Sequence, residues 1–403
     1  MFSVFMNIPT MLLIIIMVIT EFLTFLVFRQ HYSGRSRAKY YSSTIINAIL
    51  SIYMWILFFD LTIYKGTFDE PEHVWSLMKL TGTFCAVLVP RVILNVLHFS
   101  GKLIRIRKKS NIRGLTNTGI AIWIIMFSLV VSGTLIGRFN FKTDEVTIKI
   151  DGLKKDLDGL KIVQLSDMHL SGFYGHLSKI KNVMERVNSY KPDIIINSGD
   201  FISYGWREFN GCDTILSIAK SRYGNFAILG NHDIGTYNPK FNDADIDTNI
   251  ARMTSLITSS GYRVLTEEHT IVNIGNARLA IIGVITKGRF PHFIHGDLNR
   301  AINGLDSADF KILITHDPNH WDESVRGKTD IDLTFAGHTH GMQMGIFTKR
   351  FRWSPAQYIY REWCGLYSSG KQYLYVNRGL GVFPIPFRIW MPPEITIIKL
   401  VVG

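Results

Sequence analysis

Four apolar spans fill most of the first 140 of this chain's 403 residues, at about 8–28, 40–64, 75–100 and 118–137. Each has the roughly 20 residues needed to cross a bilayer. Four in so short a stretch cannot all be core helices of a soluble domain. A cleaved signal peptide is not expected for the first, which has no basic segment before it and no small-residue cleavage site after it. Residues 1–140 therefore read as a polytopic membrane region. After a short linker at about 138–144, residues 141–403 are left for one globular domain, enough for a sizeable core.

The loops between the spans predict an orientation. Arg29, Arg35, Arg37 and Lys39 lie between spans one and two, and Lys102, Arg105, Arg107, Lys108, Lys109 and Arg113 between three and four. The loop between spans two and three has Lys65 against Asp69, Glu70 and Glu72. Basic loops stay in the cytoplasm. The expected location is thus a cell (inner) membrane, multi-pass, with everything after Arg138 on the outer side. Of the net charge of +12, residues 1–140 carry +9, from fourteen basic and five acidic residues. Topology accounts for that excess, so no nucleic-acid partner is expected. Inside the spans, Glu21 and Arg91 fall at similar depth, as do Asp60 and Lys79 nearer the outer end, which predicts two interhelical ion pairs. Pro90 predicts a kink in span three. Of three cysteines, Cys85 lies in a span, and Cys212 and Cys364 allow one disulfide without requiring it.

The back half carries five short motifs in order: Asp167-Met168-His169, Gly199-Asp200, Gly230-Asn231-His232-Asp233, His316, and Gly337-His338-Thr339-His340. Each follows an apolar run (160–166, 194–198, 225–229, 311–315 and 331–336) that reads as a buried strand. Helices are expected at about 175–190, where apolar residues recur at helical spacing, and at 247–260. Taken singly, each motif is a turn signal. Together, at strand ends where open sheets carry their sites, they supply the carboxylates, amide and imidazoles that two divalent ions need, one carboxylate being shared. His176, His269, His292, His295 and His320 read as surface or loop residues, although His292 and His295 could line the cleft.

These motifs resemble those of the calcineurin-like metallophosphoesterases, most closely the bacterial branch with an N-terminal membrane region. The likeness runs from about 159 to 398 and includes the tail Leu374–Gly381 through Met391–Ile395. It implies an α/β fold, a four-helix transmembrane region followed by a metallophosphoesterase-type β-sandwich flanked by helices (αββα). It also implies that Asp167, His169, Asp200 and His340 hold one metal, and that Asp200, Asn231, His316 and His338 hold the other, with Asp200 bridging. His232 would face the phosphoryl group. The sequence departs from that branch at Gly341-Met342-Gln343, where a second glycine is usual, which bears on the adjacent pocket wall.

The residue types suit the chemistry. Paired ions polarise phosphoryl oxygens and lower the pKa of a water toward neutrality. Asn231 adds a neutral oxygen, which keeps the site positive for an anionic substrate. His232, next to a ligand, is free to donate to the leaving oxygen, with Asp233 to orient it. Manganese, zinc or iron would suit the mixed donor set. The expected activity is hydrolysis of a phosphomono-, di- or pyrophosphate ester by a metal-activated water. The alternative is a membrane transporter or sensor whose phosphoesterase-like domain only binds a phosphorylated ligand. A degraded ligand set would favour it, and no ligand is missing.

A lipid or other envelope amphiphile is the expected substrate. Residues 345–392 hold twelve aromatic and seven basic residues against the single acid Glu362, a composition that suits a headgroup layer. Core packing is the competing explanation for those rings. The resemblance also admits nucleotide-linked glycolipids, against which the expected outer location argues.

Overall fold

The computed structural model describes residues 8–32, 34, 36–108, 112–289, 292–305, 307–348 and 351–403. Arg35, Lys109, Lys349 and Arg350 lie outside the described residues. So do the side chains of Arg105, Arg107, Lys108, His292 and His295. Two compact units make up the chain. The first takes in the chain up to Lys65, then Ser76–Leu135 and Pro384–Phe387; the second comprises Gly66–Trp75, Ile136–Phe383 and Arg388–Gly403.

The first unit is built from the helices α1 (Ile8–Tyr32), α2 (Arg37–Ile63), most of α3 (Pro71–Thr83, from Ser76 on), α4 (Val89–Lys108) and α5 (Ile112–Leu135). They make four elements long and apolar enough to span a membrane, α3 and α4 together forming the third. Between them lies a π-turn at Phe84–Leu88, just before Pro90. Widening the helix there relieves the clash between the proline ring and the preceding turn, which is the physical basis of the kink.

Arg91 is fully buried and lies 3.7 Å from the Glu21 carboxylate, as expected, and it also donates to the Asn47 carbonyl. Trp55 donates to the same carboxylate, so Glu21 is held from two sides. The second expected pair does not form. Asp60 is exposed, and Lys79 instead lines an apolar cleft with Tyr53, Phe127, Leu135 and Pro386.

Two six-stranded sheets dominate the second unit. Its strands are β1 (Lys142–Ile150), β2 (Lys161–Leu165), β3 (Ile194–Asn197), β4 (Asn225–Ala227), β5 (Tyr262–Val264) and β6 (Glu268–Ile274). They continue with β7 (Ala277–Gly283), β8 (Phe310–Ile314), β9 (Leu333–Ala336), β10 (Gly365–Ser369), β11 (Gln372–Val376) and β12 (Glu394–Val402). One sheet runs β1-β12-β2-β3-β4-β5, the other β10-β11-β9-β8-β7-β6. β2 through β5 are parallel, as are β7, β8, β9 and β11.

Alternation along the strands builds the layers. Ile162, Ile194, Ile196, Phe226, Ile281, Ile312, Ile314 and Phe335 meet between the sheets. The opposite side of the first sheet, with Val163, Leu165 and Ile195, packs under the helices Leu177–Ser189 and Asp243–Ser259. Leu298 and Trp321 cover the second sheet's outer side. The order helix, sheet, sheet, helix is the expected αββα arrangement. Gln164 ties the sheets together, its amide donating to Ser198 Oγ at 2.9 Å and to the Ala336 carbonyl at 2.8 Å. The second helix begins four residues earlier than the expected 247, because Asn242 and Asp245 form a capping box. All three cysteines are free, with Cys212 and Cys364 buried in separate clusters.

Candidate metal centre

Five strands end at one edge, and the turn after each delivers a motif. β2 leads into Asp167 and His169, β3 into Asp200, β4 into Asn231, β8 into His316, and β9 into His338 and His340. These turns are sharp. Asp167, His169, Asp200, His338 and His340 all have positive φ, between 41° and 71°. Non-glycine residues adopt that region at a cost and mostly where surrounding structure enforces it, commonly at functional sites. Glycine next to them supplies room. At Gly337 a β carbon would overlap Ser166 Oγ and Asp167 Oδ2, and at Gly230 it would overlap Asp200 Oδ1.

Two clusters result. Ligand atoms of Asp167, His169 and His340 all lie within 4.8 Å of one another, and so do those of Asp200, His316 and His338. Asp200 sits between them: its Oδ2 is 3.0 Å from His316 Nε2 and 3.8 Å from His169 Nε2. Its Oδ1 accepts the His232 backbone N–H at 2.9 Å, leaving Oδ2 for the space between the clusters. His169 and His340 approach with Nε2 atoms 3.1 Å apart. Among the buried polar atoms here, Asn231 Oδ1 has no hydrogen-bond partner, and His316 Nε2 meets the Asp200 carboxylate without good hydrogen-bond geometry. Native interiors rarely leave such atoms unpaired. A cation between carboxylates and imidazoles would satisfy both, so these residues fit a pair of metal ions.

The supporting contacts fix the imidazoles. His316 Nδ1 faces the Ser198 carbonyl at 2.7 Å, so it carries the proton there and presents Nε2 inward. His338 Nε2 pairs with the Tyr360 hydroxyl at 2.9 Å, which fixes its ring within the cluster it forms with Asp200 and His316. Burial holds His338 down at about 4, and His169 and His340 also fall well below the usual histidine range, so their lone pairs are available. Burial also opposes charge on His316, but the Asp200 and Asp167 carboxylates outweigh it and raise its pKa to about 10. A divalent ion bound at Nε2 would take the place of that proton.

These observations meet a clear likeness. The calcineurin-like phosphoesterase family model matches residues 160–342. The Bacillus subtilis protein "Uncharacterized metallophosphoesterase YkuE" is 32% identical over 267 residues, 64% of this chain and 85% of that protein. The chain belongs to the calcineurin-like phosphoesterases. It is therefore a metallophosphoesterase, of a family that works with divalent metals. A zebrafish (Danio rerio) "Transmembrane protein with metallophosphoesterase domain" is 28% identical over 345 residues, covering 82% of this chain and 75% of its own. "UDP-2,3-diacylglucosamine pyrophosphatase LpxG" of Chlamydia muridarum is 28% identical over 287 residues, covering 60% of this chain and 84% of its own.

Within this metallophosphoesterase domain the expected role of Asp233 needs correction. Its carboxylate does not orient the His232 ring. It accepts four backbone N–H groups, from Gly230, Asp200, Phe201 and Ile202, at 2.8–3.1 Å, and so clamps two site loops together. The His232 ring is oriented by the Ser203 carbonyl, 2.7 Å from Nδ1, and stacks on Tyr237 with centroids 4.2 Å apart. Ser203, Tyr237, Tyr360, Phe383 and Arg388 also shape the site, and no spacing in the sequence singled out these roles. Arg388 is buried, donates to the Gly379 and Gly381 carbonyls, and lies 3.5 Å from His340 Nδ1.

Arg388 and Arg378 were expected among headgroup-facing cations. Both are buried, Arg378 against Glu394 at 2.6 Å. Tyr360, Trp363, Tyr375 and Phe387 are buried too, whereas Phe351, Trp353, Tyr358 and Trp390 are exposed. Met342, at the departure from the branch pattern, takes φ 47°, the backbone region a glycine there would occupy freely. His320 is buried rather than at the surface and pairs with Thr315.

Proposed function

We propose that Asp167, His169, Asp200 and His340 hold one divalent ion and Asp200, Asn231, His316 and His338 the other, for hydrolysis of a phosphoester on a membrane amphiphile. The observation that carries this reading is Asp200 Oδ2, shared between the two clusters. Bound there, manganese, zinc or iron would supply Lewis-acid polarisation and a water of lowered pKa. The chain's own residues supply the rest. Asn231 presents a neutral oxygen, so the site's balance stays positive for an anion. His232, fixed at Nδ1 by the Ser203 carbonyl, keeps Nε2 for the phosphoryl group or the leaving oxygen.

A lipid-like substrate is supported by the exposed rings Phe351, Trp353, Tyr358 and Trp390, with the exposed cation Arg352 among them. The name of the Chlamydia relative, a pyrophosphatase of an acylated sugar nucleotide, points the same way. A comparison of a short-chain soluble phosphoester with a lipid phosphoester in mixed micelles tests this. Catalytic efficiency should be at least tenfold higher on the lipid, and most of that gain should vanish when Trp353, Tyr358 and Trp390 become alanine. Equal efficiency on both esters, unchanged by the substitutions, would rule the amphiphile out.

The basic loops support a catalytic unit on the outer face of the cell membrane. A reporter fused after Gly403 should behave as exported. Cytoplasmic behaviour would reverse the assignment and bring nucleotide-linked lipids back as substrates.

A further inference from the structure

The loop after the second span, together with the first turn of α3, belongs to the catalytic unit, since Gly66–Trp75 is part of the same compact body as the two sheets. Its Asp69 is buried, with 1% of its surface exposed. The carboxylate lies 3.2 Å from Arg207 Nη1 and accepts the Arg207 backbone N–H at 3.3 Å. The fit is tight, for a β carbon on Gly205 would overlap Asp69 Oδ2. One residue back, the Phe68 ring meets Tyr204 edge-on, with centroids 4.9 Å apart. Trp75 adds a third anchor: the Arg138 guanidinium lies 4.3 Å from its ring and donates to the Gly172 carbonyl. A connection that only had to stay soluble would not bury a carboxylate, which is costly unless paired.

What Asp69 and Phe68 grip is the segment that aims two histidines. Glu208 accepts the backbone N–H groups of Ser203, Tyr204 and Gly205, making 203–208 one compact turn. At its start, the Ser203 carbonyl faces His232 Nδ1 at 2.7 Å and Ser203 Oγ pairs with His169 Nδ1 at 3.0 Å. Tyr204 packs on Phe383, whose ring lies 5.0 Å from that of His169 and 4.9 Å from that of His232. A shift of this turn would therefore move the His232 ring.

We infer that Asp69 is a positioning residue: from a loop between two membrane spans it fixes the 203–208 turn and thereby sets the orientation of His232. The connection after the second span is then more than a link, since it carries a support of the working site.

The inference rests on the phosphoesterase reading, and full-length, detergent-purified protein separates the two. No turnover of any phosphoester by the wild-type chain would count against that reading. With an active wild type, Asp69→Asn should lower kcat about ten- to hundredfold, the range of lost supporting contacts at such sites. KM should stay within about twofold and metal content should be unchanged. Arg207→Ala should behave alike. In a His232→Ala background, Asp69→Asn should lower kcat far less, because most of its influence passes through that ring. If Asp69→Asn proves too unstable to purify, Phe68→Leu provides the same comparison. Wild-type kcat in these variants, or an undiminished loss without His232, would overturn the inference.

Discussion

Replacing Asp200 with alanine should empty both metal positions at once. One of its oxygens lies 3.0 Å from His316 Nε2 and 3.8 Å from His169 Nε2, so a single deletion removes the carboxylate that borders both clusters. The other oxygen holds the His232 backbone N–H, so the variant also loosens the turn that carries Asn231 and His232. Metal-assisted polarisation is worth several kcal/mol of barrier, and turnover should fall roughly a thousandfold or more. His340→Ala and Asn231→Ala should each weaken chiefly one ion. Elemental analysis of the purified variants distinguishes these outcomes. Full occupancy and activity in Asp200→Ala would mean the carboxylate is not shared.

Much of this was legible in the sequence because burial leaves a simple mark. A short all-apolar run followed by a polar, glycine-bearing turn reads as a buried parallel strand and its loop, and β2, β3, β4, β8 and β9 all have that form. Contacts between distant segments left no such mark. β1 alternates exposed and half-buried residues and pairs with β12 across the whole domain. Arg378 and Arg388 look like surface cations, yet one is buried by pairing with Glu394 and the other by backbone carbonyls. Asp233 sits beside His232 in sequence, but the backbone turn points its carboxylate at four N–H groups instead. The hydrophilic loop at 66–75 likewise gave no sign that Asp69 would be buried against Arg207.

The second large effect concerns His232. His232→Ala should cut turnover by about a hundred- to ten-thousandfold, the range of general acid–base help, while leaving metal content near wild type. No ring nitrogen of His232 belongs to either cluster, its Nδ1 being committed to the Ser203 carbonyl. Its backbone N–H, which supports Asp200, survives the substitution. His232→Gln, which keeps a hydrogen-bond donor, should retain part of the lost rate. Loss of metal along with activity would show that His232 acts as a ligand or a structural support.

Two ions acting together across Asp200 can be counted by titrating the chelator-stripped, detergent-purified chain with manganese and measuring bound ions per chain while following phosphoester turnover. Two ions should bind at saturation, with activity rising as the second is bound. Full turnover with one ion bound, or with none, would show that the pair does not act together.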